Sequence, residues 1–163
     1  MNLKKNFSLD IFTIFFIFLL DRISKIYVIY LDGKQLNSEI FKSKFINIQL
    51  IWNEGIAFGL FAFDDNFFYN LITGFIILVI LTLLYFITKT RGFEKYSFLI
   101  ILGGACGNVF DRFFYSAVPD FIDIHYQNFH WFIFNVADIF ITLGIICLIL
   151  AEFLNYKKQN DKK

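Results

Sequence analysis

The sequence predicts an all-α membrane protein with four transmembrane helices, both termini on the cytoplasmic side and a small β-element outside the membrane. The first observation is composition, since 58% of the 163 residues are hydrophobic and mean hydropathy is +0.61. Soluble domains are about 45–50% apolar, and a small one cannot hide such an excess from water. The second observation is that the apolar residues fall into four long runs.

These runs approach the roughly 20 residues that a spanning helix needs. They are residues 8–30, 69–88, 96–114 and 131–156. The first run follows Lys4 and Lys5 but is too long for a signal peptide and lacks a small-residue cleavage site. We find no internal repeat and no linker rich in Gly, Ser or Pro. Residues 1–163 are therefore expected to form a single membrane domain.

Cationic residues indicate the orientation, because Lys and Arg concentrate in cytoplasmic loops. Lys89, Arg91 and Lys95 crowd the connection between the second and third runs. Four lysines follow the fourth run: Lys157, Lys158, Lys162 and Lys163. The segment 116–130 has no Lys or Arg, and the longer segment 31–68 has only three lysines. Both termini are therefore predicted to be cytoplasmic, and both larger loops to be external.

The first external loop contains a strand signal. Residues 45–52 partly alternate polar and apolar side chains, as a half-buried strand does. We expect a small β-element on the outer membrane surface.

Few residues suggest a metal or an organic cofactor. Cys106 and Cys147 lie inside apolar segments without a CxxC spacing, and His125 and His130 lie in one predicted loop without a metal-ligand motif. The net charge of +1 suggests no nucleic-acid partner. No metal and no cofactor are predicted.

Ionisable residues inside the predicted spans are functional candidates, because each costs about 2.5–3.5 kcal/mol at a helix centre. Asp21 and Lys25 are four residues apart and can pair. Asn108, Asp111 and Arg112 share one helix face, after a run of small residues at 103–107 that lets a neighbouring helix approach closely. These groups could be local charge pairs that fix the helices. Alternatively, Arg112 could grip a carbonyl of a substrate.

Two further carboxylates point to chemistry. Asp120 follows Pro119, the only proline, in a predicted loop. Asp138 lies about two turns inside the fourth run, on the face of Asn135. A buried unpaired carboxylate is costly, and the intervening segment returns to the same membrane side, so the two can meet. Close carboxylates share a proton, which gives the acid and base of an aspartic peptidase.

Two other classes of protein remain compatible with these residues. A proton- or ion-coupled transporter also places carboxylates in a membrane, although it would need a charged path across the bilayer and the second run has no charge. A scaffold subunit would use the same residues as a polar packing knot and would tolerate the loss of either aspartate.

Five motifs together resemble one family. In order they are DRISK at 21–25, NEGIAFG at 53–59, GGACGNVFDR at 103–112, VPDF at 118–121 and FNVAD at 134–138. Their order and spacing resemble lipoprotein signal peptidase, or signal peptidase II, of the bacterial cytoplasmic membrane. The resemblance covers most of the chain, without a departure at the motif positions.

The resemblance implies an aspartic endopeptidase that removes signal peptides from prolipoproteins. It would cut before a diacylglyceryl-modified cysteine, near the outer face of the cytoplasmic membrane. It implies a monomer that contacts membrane lipid and needs no cofactor. Asp120 and Asp138 match the catalytic pair. Matches to positions that line the substrate site are Asn53, Gly55, Asn108, Arg112, Asn135 and Ala137, and supporting positions are Asp21, Lys25 and Asp111. Residues 53–59 could form a lid over the substrate.

Overall fold

The part of the chain that the structure describes folds into four helices and one small antiparallel sheet. The computed structural model describes residues 3–34, 39–55 and 66–160, with side chains at 7–34, 40–55 and 69–155. In chain order the elements are α1 (Leu3–Asp32), β1 (Glu39–Lys42), β2 (Ile46–Asn53), α2 (Asn66–Lys89), α3 (Gly92–Tyr115), β3 (Val118–Tyr126), β4 (Phe129–Phe134) and α4 (Val136–Asn160).

Three described helices are long and apolar enough to cross a membrane: Tyr69–Lys89, Gly92–Tyr115 and Val136–Asn155. Helix α1 has 30 residues, but Asp21, Arg22 and Lys25 interrupt its apolar sequence. All three of these side chains are buried, whereas Phe12, Phe16 and other large apolar residues of α1 are exposed. The charged residues of α1 therefore face the protein interior, and its outer surface remains apolar.

Helix α3 is the centre of the helix layer and packs against α1, α2 and α4. Glycine makes the closest of these contacts possible. A Cβ atom at Gly103 would lie 2.9 Å from Ile17 Cβ on α1, and one at Gly104 would lie 2.6 Å from the backbone oxygen of Ala137 on α4. The predicted close helix approach at 103–107 is confirmed.

The sheet has the order β1-β2-β3-β4, with every neighbouring pair antiparallel. The strand expected at 45–52 is confirmed as β2. The prediction of a loop at 116–130 is wrong, because β3 and β4 form a hairpin there. Tyr126 pairs with Phe129, and Gln127 between them has φ 55°, as a two-residue hairpin turn requires.

The same hairpin corrects four further predictions. Helix α4 begins at Val136 rather than at 131, because the aromatic run before it belongs to β4. Asp138 therefore lies in the first turn of α4, not about two turns inside it. Asp120 lies within β3 rather than in a loop. His125 and His130, assigned to one loop, are partners across β3 and β4.

Candidate active site

Asp120 is a buried carboxylate held by two amide groups. It lies on β3 with 2% of its surface exposed. Asn53 at the end of β2 donates from Nδ2 to Asp120 Oδ2 over 2.8 Å. Asn135 donates from Nδ2 to Asp120 Oδ1 over 2.6 Å. Both donors are neutral, so they orient the carboxylate without neutralising its charge.

Asp138 is fixed by the start of α4. The Asp138 backbone N–H donates to Asn135 Oδ1, and the Asn135 backbone N–H donates to Asp138 Oδ2, each over 3.2 Å. This reciprocal pattern is a capping box, which satisfies two backbone donors that a helix N-terminus would otherwise leave unpaired. Asn108 on α3 donates to Asp138 Oδ1 over 2.8 Å.

Asn135 therefore contacts both carboxylates and brings them to one place. Burial first, and then the negative charge of Asp138, raise the pKa of Asp120 to about 6. The hydrogen bonds from Asn53 and Asn135 act against this rise. We call Asp120 and Asp138 the carboxylate pair.

Behind the carboxylate pair lies a group of four buried charges, Asp21, Arg22, Lys25 and Asp111, which we call the four-charge cluster. Lys25 Nζ lies 2.9 Å from Asp21 Oδ1 and 2.6 Å from Asp111 Oδ2. Arg22 lies 2.9 Å from Asp21 Oδ2 and 2.5 Å from Asp111 Oδ1. Two cations and two anions neutralise one another. The predicted Asp21–Lys25 pair forms, and its helix carries a second cation.

The four-charge cluster is joined to the carboxylate pair in two ways. Lys25 Nζ donates to Asn108 Oδ1 over 2.9 Å, and the amide of Asn108 donates in turn to Asp138. The backbone N–H of Ala137 donates to Asp21 Oδ1 over 3.0 Å. The start of α4 is thereby fastened to α1 and α3.

Arg22 was not among the predicted site residues. Its guanidinium lies 4.9 Å from the ring centroid of Phe110, in addition to its two carboxylate contacts. A sequence signal did exist, because an arginine beside Asp21 in an apolar helix must find a partner.

The expected local neutralisation of Asp111 by Arg112 is wrong, because Asp111 binds Arg22 and Lys25 of α1.

Arg112 instead grips a backbone carbonyl within the protein. It donates to the Gly55 oxygen over 2.7 Å and to the Asn108 oxygen over 3.2 Å. Gly55 N–H donates to Asn53 Oδ1 over 2.8 Å. Arg112 therefore fixes the segment that presents Asn53 to Asp120. The remainder of the predicted lid, at 56–59, lies outside the described residues.

An apolar groove of about 300 Å³ reaches Asp138 of the carboxylate pair. Ile124, Trp131 and Phe134 line it from the sheet, Ile139 and Leu143 line it from α4, and Asp138 is its acidic member. The groove thus joins a reactive group to an apolar surface. All eleven predicted site residues lie in this site or in its support.

Among the side chains that the structure describes, one group could supply three metal ligands, and it lies on the sheet away from the carboxylate pair. Its members are Asp123, His125 and His130. The interpretation of these histidines as unremarkable overlooked that the hairpin brings them together.

The fold and site define a helical membrane protein with a buried carboxylate pair beside an apolar groove. Comparison with known proteins agrees with this class. The family profile described as Signal peptidase (SPase) II matches residues 13–154. The chain belongs to the signal peptidase II family.

Individual relatives match over nearly the whole chain. The lipoprotein signal peptidase of Pelagibacter ubique (strain HTCC1062) is 49% identical over 159 residues, covering 97% of this chain and 96% of the relative. That of Anaplasma marginale (strain Florida) is 34% identical, covering 94% and 89%. A solved bacterial membrane enzyme superposes with a TM-score of 0.76 at 30% identity, covering 96% of this chain and 92% of its own.

Proposed function

We propose that this chain is an aspartic endopeptidase that removes the signal peptide from diacylglyceryl-modified prolipoproteins, cutting before the lipidated cysteine. The observation that carries the proposal is the carboxylate pair. Asp120 and Asp138 come from different elements and converge on Asn135, and the described hydrogen bonds to them come from neutral amides. Two such carboxylates are the acid and base that peptide hydrolysis needs.

The chemistry requires the pair to carry one proton. The ionised carboxylate accepts a proton from water as that water attacks the scissile carbonyl carbon. The protonated carboxyl donates to the carbonyl oxygen and stabilises the tetrahedral intermediate. The intermediate then collapses as the leaving nitrogen takes up a proton from the pair. The raised pKa of Asp120 favours the singly protonated pair, because two close buried carboxylates resist ionising together.

The apolar groove supports a lipidated substrate. It opens beside Asp138 between sheet and helix residues, and its lining is apolar apart from Asp138 and Thr142. An acyl chain or the apolar part of a signal peptide would find there the environment it leaves in the bilayer. The lipoprotein signal peptidase relatives carry the same substrate class in their name.

We further propose that α1 is a fourth span and that the carboxylate pair faces outward from the bacterial cytoplasmic membrane. An α-helix of 30 residues is about 45 Å long, enough to cross the bilayer. The connection between α2 and α3 carries Lys89, Arg91 and Lys95, as a cytoplasmic loop does. The sheet and the carboxylate pair lie at the other end of α3. The lysines at 157 and 158 agree, although their side chains lie outside the described part.

Asn53, Gly55 and Arg112 are proposed to position the substrate. The Arg112–Gly55 bond holds the end of β2 against the carboxylate pair. We propose that residues 53–59 act as a lid over the bound peptide. A bulky Gly55→Trp substitution should then slow cleavage, and an unchanged rate would remove the lid from the proposal.

The decisive experiment is cleavage of a diacylglyceryl-modified prolipoprotein in detergent micelles. Asp120→Asn and Asp138→Asn keep the side-chain shape and remove the ionisable group. Each is expected to lower kcat/KM about 100–10,000-fold, which is the usual contribution of a general acid or base to the rate. Asp10→Asn is the matched control, because Asp10 pairs with Lys95 near the opposite end of α1.

The proposal stands if both pair variants insert, melt near the wild-type temperature and lose cleavage while Asp10→Asn retains it. Wild-type protein that fails to cleave the lipidated substrate would falsify the substrate assignment. Normal cleavage by either pair variant would remove that residue from the chemistry.

A further inference from the structure

The sheet carries a second group of polar side chains, separate from the carboxylate pair. Asp123 and His125 lie on β3, and His130 lies opposite His125 on β4. Their potential ligand atoms all lie within 4.8 Å of one another. The two imidazole rings are stacked, with centroids 5.1 Å apart.

We propose that Asp123, His125 and His130 bind one Zn²⁺ ion, which fastens β3 to β4. Two imidazole nitrogens and one carboxylate oxygen form a ligand set that suits zinc, whereas Mg²⁺ and Ca²⁺ prefer oxygen ligands alone. A water molecule would complete the four-coordinate shell.

The spacing of the ligand atoms supports the proposal. Zinc lies about 2.0–2.2 Å from nitrogen and oxygen ligands, so two ligands on one tetrahedral ion are about 3.3–3.6 Å apart. His130 Nδ1 lies 2.8 Å from Asp123 Oδ2, and His125 Nδ1 lies 4.0 Å from it. Small movements of the imidazoles suffice to equalise these distances. The His130 side chain is 54% exposed and can move.

Unsatisfied polar atoms give an independent indication. His125 Nδ1 is buried and has no hydrogen-bond partner within the described part of the chain, and its side chain is only 10% exposed. A buried polar atom without a partner destabilises the fold. Coordination to zinc would satisfy this nitrogen.

Asn47 on β2 supplies a second indication. It is 7% exposed, and its Nδ2 donates to Asp123 Oδ2 over 3.3 Å. A hydrogen-bond donor of this kind commonly orients a carboxylate that binds a metal. Its Oδ1 is buried and lacks a partner among the described residues. Water bound to the metal would offer that oxygen a donor.

The zinc site would lie on the reverse face of the sheet from the carboxylate pair. Successive side chains of a strand point to opposite faces, and the irregular steps in pairing fall in β2 and β4, leaving β3 regular. Asp120 and Asp123 are three residues apart, so they face opposite sides. The ion would therefore stabilise the sheet without touching the reacting atoms, which makes its test independent of the proposed peptidase activity.

The test is zinc titration of metal-free, full-length protein in detergent. The chain has only two histidines. With a purification tag that lacks histidine, His125 and His130 are therefore the only imidazole groups in the sample. Calorimetry should give one Zn²⁺ per chain, and Mg²⁺ should give no heat. Co²⁺ should give the visible absorption of a tetrahedral site.

His125→Ala and His130→Ala should each weaken Zn²⁺ binding at least about 100-fold. That is the upper limit for losing a residue that only hydrogen-bonds to a metal ligand. Zinc should raise the melting temperature of the wild type and leave that of both variants unchanged. Asp138→Asn should bind zinc normally although it lacks cleavage. The double variant Cys106→Ser, Cys147→Ser should also bind normally.

The proposal is overturned if the wild type shows no saturable Zn²⁺ binding, or if one-to-one binding survives both histidine substitutions. It is also overturned if Asp138→Asn or the cysteine variant abolishes binding, because the ion would then lie elsewhere. His130→Ala decides the matter if His125→Ala does not fold, since His130 is largely exposed.

Discussion

Two groups of buried carboxylates lie side by side in this protein and are treated in opposite ways. In the four-charge cluster, Asp21 and Asp111 each contact Arg22 and Lys25. In the carboxylate pair, Asp120 and Asp138 accept hydrogen bonds from asparagine amides. Cations hold a carboxylate in its ionised form, whereas neutral amides orient it and leave it able to take a proton. The first arrangement builds the helix layer, and the second permits acid–base chemistry.

The largest expected effect is the loss of stability when a substitution breaks the four-charge cluster. Lys25→Met leaves Asp21 and Asp111 with one cation between them in a buried position, and removing one partner of a buried ion pair costs about 3–5 kcal/mol. Denaturant unfolding in detergent micelles measures the loss. Lys95→Met is the matched control, because its pair with Asp10 is partly exposed and should cost about 1 kcal/mol or less. Equal losses in the two variants would contradict the structural role of the cluster.

The next effect concerns how the carboxylate pair responds to pH. Asp120 has a pKa of about 6 in the folded protein against 3.8 for the free group, so folding favours its protonated form. Below about pH 4 the folded and the unfolded protein both carry the proton on Asp120, so the burial of this carboxyl does not lower the stability. As pH rises through about 6 the folded state must release it, and the wild type should lose up to about 3 kcal/mol relative to Asp120→Asn.

Thermal unfolding of wild type and Asp120→Asn in parallel between pH 4 and pH 8 tests this expectation. The difference in melting temperature should shift in favour of the variant across this range and become constant above about pH 7. A pH-independent difference would mean that Asp120 is ionised throughout this range, which contradicts the expectation.

The smallest effect concerns the residue that joins the two groups. Asn108→Leu removes the donor to Asp138 and the acceptor from Lys25 with little change in volume. A hydrogen bond to a charged group contributes about 1.5–3 kcal/mol, so kcat/KM should fall about 10–100-fold. Ser97→Ala, a buried polar change on the same helix, should cleave at the wild-type rate. A loss of stability without a change in kcat/KM would assign Asn108 to packing alone.

Sequence reasoning singled out the ionisable candidates within the helices because charged groups in apolar helices are rare and costly. Helical spacing also predicted the Asp21–Lys25 contact, which is local in sequence. The predicted partner of Asp111 was wrong because its actual partners, Arg22 and Lys25, lie on another helix. The spacing of residues within one helix does not show which side chains a neighbouring helix brings. The capping box at Asn135 and Asp138 did leave a signal, since the spacing of three residues is the one that such boxes use.

The hairpin was missed for a different reason. Residues 129–134 are mostly aromatic and apolar, and Asn135 alone separates them from the start of α4, so a hydropathy window merges strand and helix. The alternation of Ile122, Ile124 and Tyr126 with Asp123 and His125 was the opposing signal. Short strands are hard to separate from helix ends in such a composition, and this error shifted the expected start of α4 by five residues.

Asn135 performs three tasks with one side chain and its backbone, and this limits what evolution can place there. Its Nδ2 donates to Asp120, its Oδ1 caps α4, and its backbone N–H donates to Asp138. Aspartate would lose the donor and add a third negative charge, serine would be too short to bridge both neighbours, and glutamine would be too long for the cap. Resistance to an inhibitor bound at the carboxylate pair is therefore expected to arise at positions lining the apolar groove, and not at Asn135.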